Sequence, residues 1–147
     1  MELEKPETPQ EISENLIHFI ARSPSVFHGV HGIKAALLYS GFTEIREEDR
    51  WHIEKGGKYV VTRNGSALIA FTVPEEGAHS FRIIASHCDS PTFKIKENPE
   101  MKKGPYVTLN VEGYGGMIMP TWLDRPLSVA GRLIVRENGH LAEKLAA

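Results

Sequence analysis

Cys88 is the only thiol in the chain, so an internal disulfide and a cysteine-rich zinc site are both excluded. No stretch approaches the roughly 18 consecutive apolar residues that cross a bilayer, and no membrane partner is expected. Positive charge is also scarce: 17 Lys and Arg against 19 Asp and Glu give a formal net charge of -2, with seven histidines. Without a basic footprint, nucleic acid and anionic surfaces are poor partners. The opening Met1-Glu2-Leu3-Glu4-Lys5-Pro6-Glu7 is acidic and lacks the basic start and apolar core of a secretory leader. A cytoplasmic protein is therefore expected.

What remains is ordinary globular material. With 147 residues, 41% hydrophobic and 24% charged, the chain has room for one domain with a real core, or one domain and part of a second. Thr8-Pro9-Gln10-Glu11 starts a helix, with Thr8 as cap, Pro9 at the first helical position and Glu11 closing a capping box. Ile12, Leu16, Phe19 and Ile20 recur at helical spacing as far as Arg22, and His18 lies off that stripe. Ser23-Pro24-Ser25 breaks the helix. A second helix is predicted from near Ser25 to Ser40, with Val26, Val30, Ile33, Leu37 and Leu38 toward the core and Gly41 as a left-handed terminator. His28 and His31 stand at i, i+3 on it, a spacing that suits a metal pair or two polar groups at a helix start.

From Lys58 the pattern turns to strands. Tyr59 to Thr62, the Asn64-Gly65 turn and Ala67 to Val73 predict a hairpin. Gly56-Gly57-Lys58 lacks the spacing and following helix of a phosphate loop, and Gly113-Tyr114-Gly115-Gly116 lacks those of a dinucleotide fingerprint. Thr92 to Lys96 and Tyr106 to Val111 read as strands separated by a turn at Asn98-Pro99-Glu100. Val129 to Val135 with Glu137-Asn138-Gly139 reads as a further hairpin arm. The tail 140–147 is helix-prone and has no stop signal, so the chain is expected to have been cut rather than finished.

The chemistry centres on Phe81-Arg82-Ile83-Ile84-Ala85-Ser86-His87-Cys88-Asp89-Ser90-Pro91. A buried strand over 82–85 is predicted to end here, because Pro91 cannot serve a sheet ladder. The carboxyl ends of strands are where ligands bind in open α/β sheets. Alternation puts His87 and Asp89 on one side and turns Cys88 away, which predicts a buried, inert cysteine. Imidazole is the commonest metal ligand, and its second nitrogen usually meets a carboxylate. The tripeptide H-x-D alone also fits a strand-end histidine beside a solvated aspartate. Asp124 and Arg125 form a second candidate group, either a metal ligand partnering His87 or members of an ion-pair network.

Taken together and in order, Ser23-Pro24-Ser25-Val26-Phe27-His28, Gly57-Lys58-Tyr59, Thr62-Arg63-Asn64-Gly65-Ser66, Ser86 to Pro91, Val111-Glu112-Gly113-Tyr114-Gly115-Gly116 and Trp122-Leu123-Asp124-Arg125-Pro126-Leu127-Ser128-Val129-Ala130-Gly131-Arg132 resemble the N-terminal part of the M18 metallo-aminopeptidases, the aspartyl aminopeptidase family. The resemblance covers nearly the whole chain. It implies an α/β fold in which residues 1–95 are the first part of a zinc-peptidase sheet domain and 96–147 the start of an inserted β-rich dimerisation domain. It implies removal of N-terminal residues, Asp or Glu above all, from peptides, by large homo-oligomers holding two zinc ions per site; Co2+ and Mn2+ suit the same ligand types.

By that likeness His87 is a zinc ligand, and Asp89 is the catalytic-site acid that orients it. Asp124 receives no ligand role, and His28 belongs to a family motif without an assigned one. Cys88 stands where the family commonly has threonine. The bridging aspartate, the paired glutamates and the later ligands of the family have no counterpart in these residues, so the chain alone is expected to be inactive. The rival expectation, from a different class, is a non-catalytic assembly module or decayed paralogue.

Overall fold

The computed structural model describes residues 7–77 and 80–147; the acidic opening as far as Pro6 lies outside them. The architecture is mixed α/β: α1 (Pro9–Ala21), α2 (Val26–Tyr39), β1 (Thr43–Glu44), β2 (Lys58–Arg63), β3 (Ala67–Thr72), β4 (Thr92–Lys103), β5 (Tyr106–Tyr114), a 3-10 turn at Met119–Trp122, β6 (Gly131–Glu137) and β7 (His140–Ala146). Internal contacts divide the chain into two compact units. One comprises the described residues up to Cys88 together with Val129–Ala147, and the other is Asp89–Ser128. The division predicted at 95/96 falls inside strand β4, where its pairing with the next strand is interrupted.

In the first unit the helices begin where the sequence says they should. Thr8 Oγ1 accepts from the Glu11 N–H at 3.2 Å while the Thr8 N–H donates to Glu11 Oε2 at 2.7 Å, a reciprocal box that satisfies two otherwise orphan donors. The hydrogen bond from the Thr8 backbone, followed by that from its side chain, holds the Glu11 carboxyl below its usual range. The apolar stripe of α1 is only lightly covered: its Phe19 ring lies beside Gly32 of α2, but the helix has no buried residue, and Ile12, Leu16 and Ile20 are more than half exposed. Helix α2 is the packed one. Ser25 and Ser40 flank it, Gly41 leaves it at φ 83, and it rests on β2, β3 and β6. Val30 is buried against them, while Leu38, expected in the core, faces solvent.

The sheet runs β1-β2-β3, with β1 parallel and β3 antiparallel to the central β2. Three consecutive residues of β2, Tyr59, Val60 and Val61, are buried and with Val30 make the core. Such a run marks a strand covered on both faces. Asn64 and Gly65 take φ 51 and 62, the double left-handed conformation of the turn type that matches strand twist. Asn138 and Gly139 repeat it at φ 49 and 84 between β6 and β7. Here the helix predicted for the tail is corrected: residues 140–146 pair in register with β6 from Glu137↔His140 to Gly131↔Ala146, because a formed turn and a waiting ladder outweigh weak helix propensity.

In the second unit β4 and β5 form an antiparallel ribbon. The turn predicted at Asn98-Pro99-Glu100 is instead a bulge within β4, between Ile95 and Glu100, with Asn98 at φ 49. A proline is tolerated there because a bulged residue owes no ladder bond. Phe93 meets Trp122 edge to face, ring centroids 5.6 Å apart, and so anchors the 3-10 turn to the ribbon.

Candidate functional site

The largest correction concerns the strand predicted over 82–85. Residues 81–91 form no strand, and Phe81, Ile83 and Ile84 are 85%, 82% and 100% exposed. The sequence is apolar enough to be buried, but no strand among the described residues pairs with it, and without a ladder the segment stays irregular. Cys88 follows its neighbours: expected buried, it is exposed.

His87 is exposed within this segment, at the end of the first compact unit. Asp89 opens the second unit and is only partly exposed. Its carboxylate Oδ2 accepts a hydrogen bond from the Tyr114 hydroxyl at 2.6 Å, short as expected when the acceptor is ionised. That bond, with the charge of Asp89 added, pushes the phenol pKa above its ordinary value. Tyr114 closes β5 opposite Thr92, the first residue of β4, so the ladder brings the phenol back toward the residues just before Pro91. The next residue, Gly115, turns at φ 70, and a side chain added there would lie 3.5 Å from Pro91.

Sequence reasoning missed Tyr114 as a partner of Asp89. Tyr114 lies within Val111-Glu112-Gly113-Tyr114-Gly115-Gly116, but its 25-residue separation from Asp89 is bridged only through strand pairing that spacing does not reveal.

The other candidates separate. Ser25 Oγ and His28 Nδ1 are 2.8 Å apart, which accounts for His28 as a polar group at the start of α2. His31 lines an open pocket of about 450 Å³ with Phe27, Lys34, Arg132 and Glu143, and neither His87 nor Asp89 borders it. Asp124 adopts φ 53, and Arg125 Nη1 donates to the Thr121 carbonyl at 3.5 Å. Among the described residues no ion pair involves Asp124 or Arg125, and no three His, Cys, Asp or Glu side chains gather as a metal ion requires.

Comparison with known proteins supplies what the donor count does not. The family described as aminopeptidase I zinc metalloprotease (M18) matches residues 19–147. The probable M18 family aminopeptidase 2 of Clostridium acetobutylicum is 55% identical over 134 residues, covering 89% of this chain and 31% of that protein. A probable aspartyl aminopeptidase of Ricinus communis is 39% identical over 131 residues, covering 88% of this chain and 27% of that protein. Among solved structures, the Saccharomyces cerevisiae mApe1 dodecamer superposes with a TM-score of 0.81 at 29% identity, covering 92% of this chain and 33% of that one. This chain thus spans between a quarter and a third of the length of the curated relatives named here. A match over most of its residues decides the family: the chain belongs to the M18 aminopeptidase I zinc metalloproteases.

Proposed function

We propose that the longer protein to which this chain corresponds is a zinc-dependent aminopeptidase that removes N-terminal acidic residues from peptides. The observation that carries the reading is the family match across residues 19–147; the name of the castor-bean relative supports the acidic preference. In this reading His87 is one zinc ligand and Asp89 the acid that orients it, with residues 1–95 contributing to the catalytic domain and 96–147 to an inserted dimerisation domain. The yeast dodecamer supports a homo-oligomer.

The donors in this chain do not by themselves fit a zinc ion. Structural and catalytic zinc sites use three or four protein ligands, and no such trio is assembled among the described residues. His87 is therefore one donor of a site that the rest of the protein completes. Bound there, zinc would supply a hydroxide at neutral pH and polarise the scissile carbonyl. This chain's part is to present an exposed imidazole and a carboxylate already fixed by a hydrogen bond. The cytoplasm is the proposed compartment, and Co2+ or Mn2+ the proposed substitutes.

The test uses two proteins and one substrate pair. The full-length protein, loaded with zinc, releases nitroaniline from Asp- and Glu-nitroanilides and loses that activity to a chelator. The 147-residue chain does neither. Turnover by the short chain would overturn the statement that the site is incomplete, and a full-length protein that ignores all aminoacyl anilides would overturn the enzymatic reading. The exposed Phe81, Ile83 and Ile84 favour a second reading, an assembly module that binds through this segment; an inactive full-length protein that still forms oligomers would select it.

A further inference from the structure

We propose that Tyr114 is a positioning residue for Asp89, holding its carboxylate in the orientation the reaction uses; the proposal rests on the aminopeptidase reading above. The two partners stand on unequal supports. Tyr114 is the last residue of β5, in register with Thr92 across the ribbon, and its ring moves about only two side-chain torsions. Asp89 lies in irregular backbone three residues before β4 begins. The terminal torsion of an aspartate is broad and two-fold, so such a carboxylate has no preferred plane of its own. A 2.6 Å hydrogen bond from a ladder-mounted phenol contributes to setting one.

A second approach lies beside the same short segment. Gly115, at φ 70, sits where an added side chain would be 3.5 Å from the Cα, Cβ and Cγ of Pro91. The turn leaving β5 is thus seated against the residues that follow Asp89. The donor is thus carried on a paired strand end next to the segment that bears the acceptor, the kind of support a preorganised site requires. A hydroxyl that merely satisfied surface polarity would need neither the register nor the turn.

Substitution separates positioning from simple hairpin stability. In the full-length zinc-loaded protein, Tyr114→Phe keeps the ring and removes only the donor. The expected result is a kcat on Asp-nitroanilide lower by about 10- to 100-fold with little change in KM, the loss usual when a supporting partner of a metal-site residue is removed. Because Tyr114 acts through Asp89, adding Tyr114→Phe to Asp89→Ala should cost nothing further. A Tyr114→Phe enzyme with wild-type kcat overturns the proposal, as does a double variant whose losses multiply.

One measurement needs no variant at all. With the aspartate carboxyl carbons labelled in the 147-residue chain, NMR should show the Tyr114 hydroxyl proton beside the Asp89 carboxyl carbon; a ring turning clear of Asp89 overturns the proposal. Wild-type protein without turnover retires the aminopeptidase reading and the inference with it. Wild-type turnover with an unaffected Tyr114→Phe retires the inference alone.

Discussion

Arg132 joins three segments that are far apart in sequence through one planar group. Its Nη1 donates to the Asn64 carbonyl at 2.9 Å and to Glu143 Oε1 at 3.3 Å, and the guanidinium lies 4.3 Å from the centre of the Phe27 ring. Lysine carries the same charge but neither the fork nor the flat face. Arg132→Lys should therefore lower unfolding stability by about 1–2 kcal/mol, read from the urea midpoint; an unmoved midpoint would show that the stack adds nothing. The pair Arg63 and Glu47 acts on pH dependence instead. Arg63 Nε lies 2.9 and 3.0 Å from the two Glu47 oxygens, and this hydrogen bonding holds the Glu47 carboxyl below its usual range. A depressed folded-state pKa gives stability that is present above the unfolded value and lost as pH falls through the folded one. Glu47→Gln should accordingly flatten the fall in thermal midpoint below the ordinary glutamate range and leave neutral pH little changed, since exposed pairs contribute little. Cys88, being exposed, should react with a thiol reagent in the native chain as fast as in urea.

At the level of elements, the features readable from sequence are those closed by a few neighbouring residues. The capping box at Thr8 and Glu11, the ends of α2, and the Asn-Gly turns at 64–65 and 138–139 all depend on local backbone chemistry and form as the residues dictate. What was not readable depends on a distant partner. Residues 82–85 have strand composition but no ladder, 140–146 have helix composition but a ladder ready to take them, and the stripe of α1 has apolar spacing but meets α2 only at its Phe19 end. The candidate residues divide the same way: type and spacing single out His87 and Asp89 as candidates, whereas the Tyr114–Asp89 hydrogen bond depends on the β4–β5 register. The β6–β7 hairpin tests how far a turn controls an element. Gly139 sits at φ 84, where a β-branched side chain is strained, so Gly139→Val should cost about 1–2 kcal/mol. The measurable result is a lower thermal midpoint with faster amide exchange along His140–Ala146; unchanged exchange would mean that pairing, not the turn, sets this strand.

The molecule as a whole holds an uneven distribution of order. Burial among the described residues is concentrated on Val30 and the run Tyr59–Val61, so the first compact unit closes around one helix face and one strand. Residues 80–91 contribute no strand and expose Phe81, Ile83 and Ile84 nearly completely. Local opening free energies range from almost nothing in such segments to the global value in core strands. Two consequences follow for the chain in solution. Amides of Tyr59, Val60 and Val61 should exchange slowest of all and those of residues 81–90 within the earliest labelling times. The same exposed apolar side chains should bring copies together as concentration rises, since contiguous apolar surface of this kind marks contact or aggregation sites. Ile84→Glu removes the most exposed of them without touching the core. If the segment is the cause, sedimentation should show this variant less associated than the parent chain at equal concentration, with the slow exchange of Tyr59–Val61 retained. Equal association in the two would place the contact elsewhere and leave the exposed segment without a role in assembly.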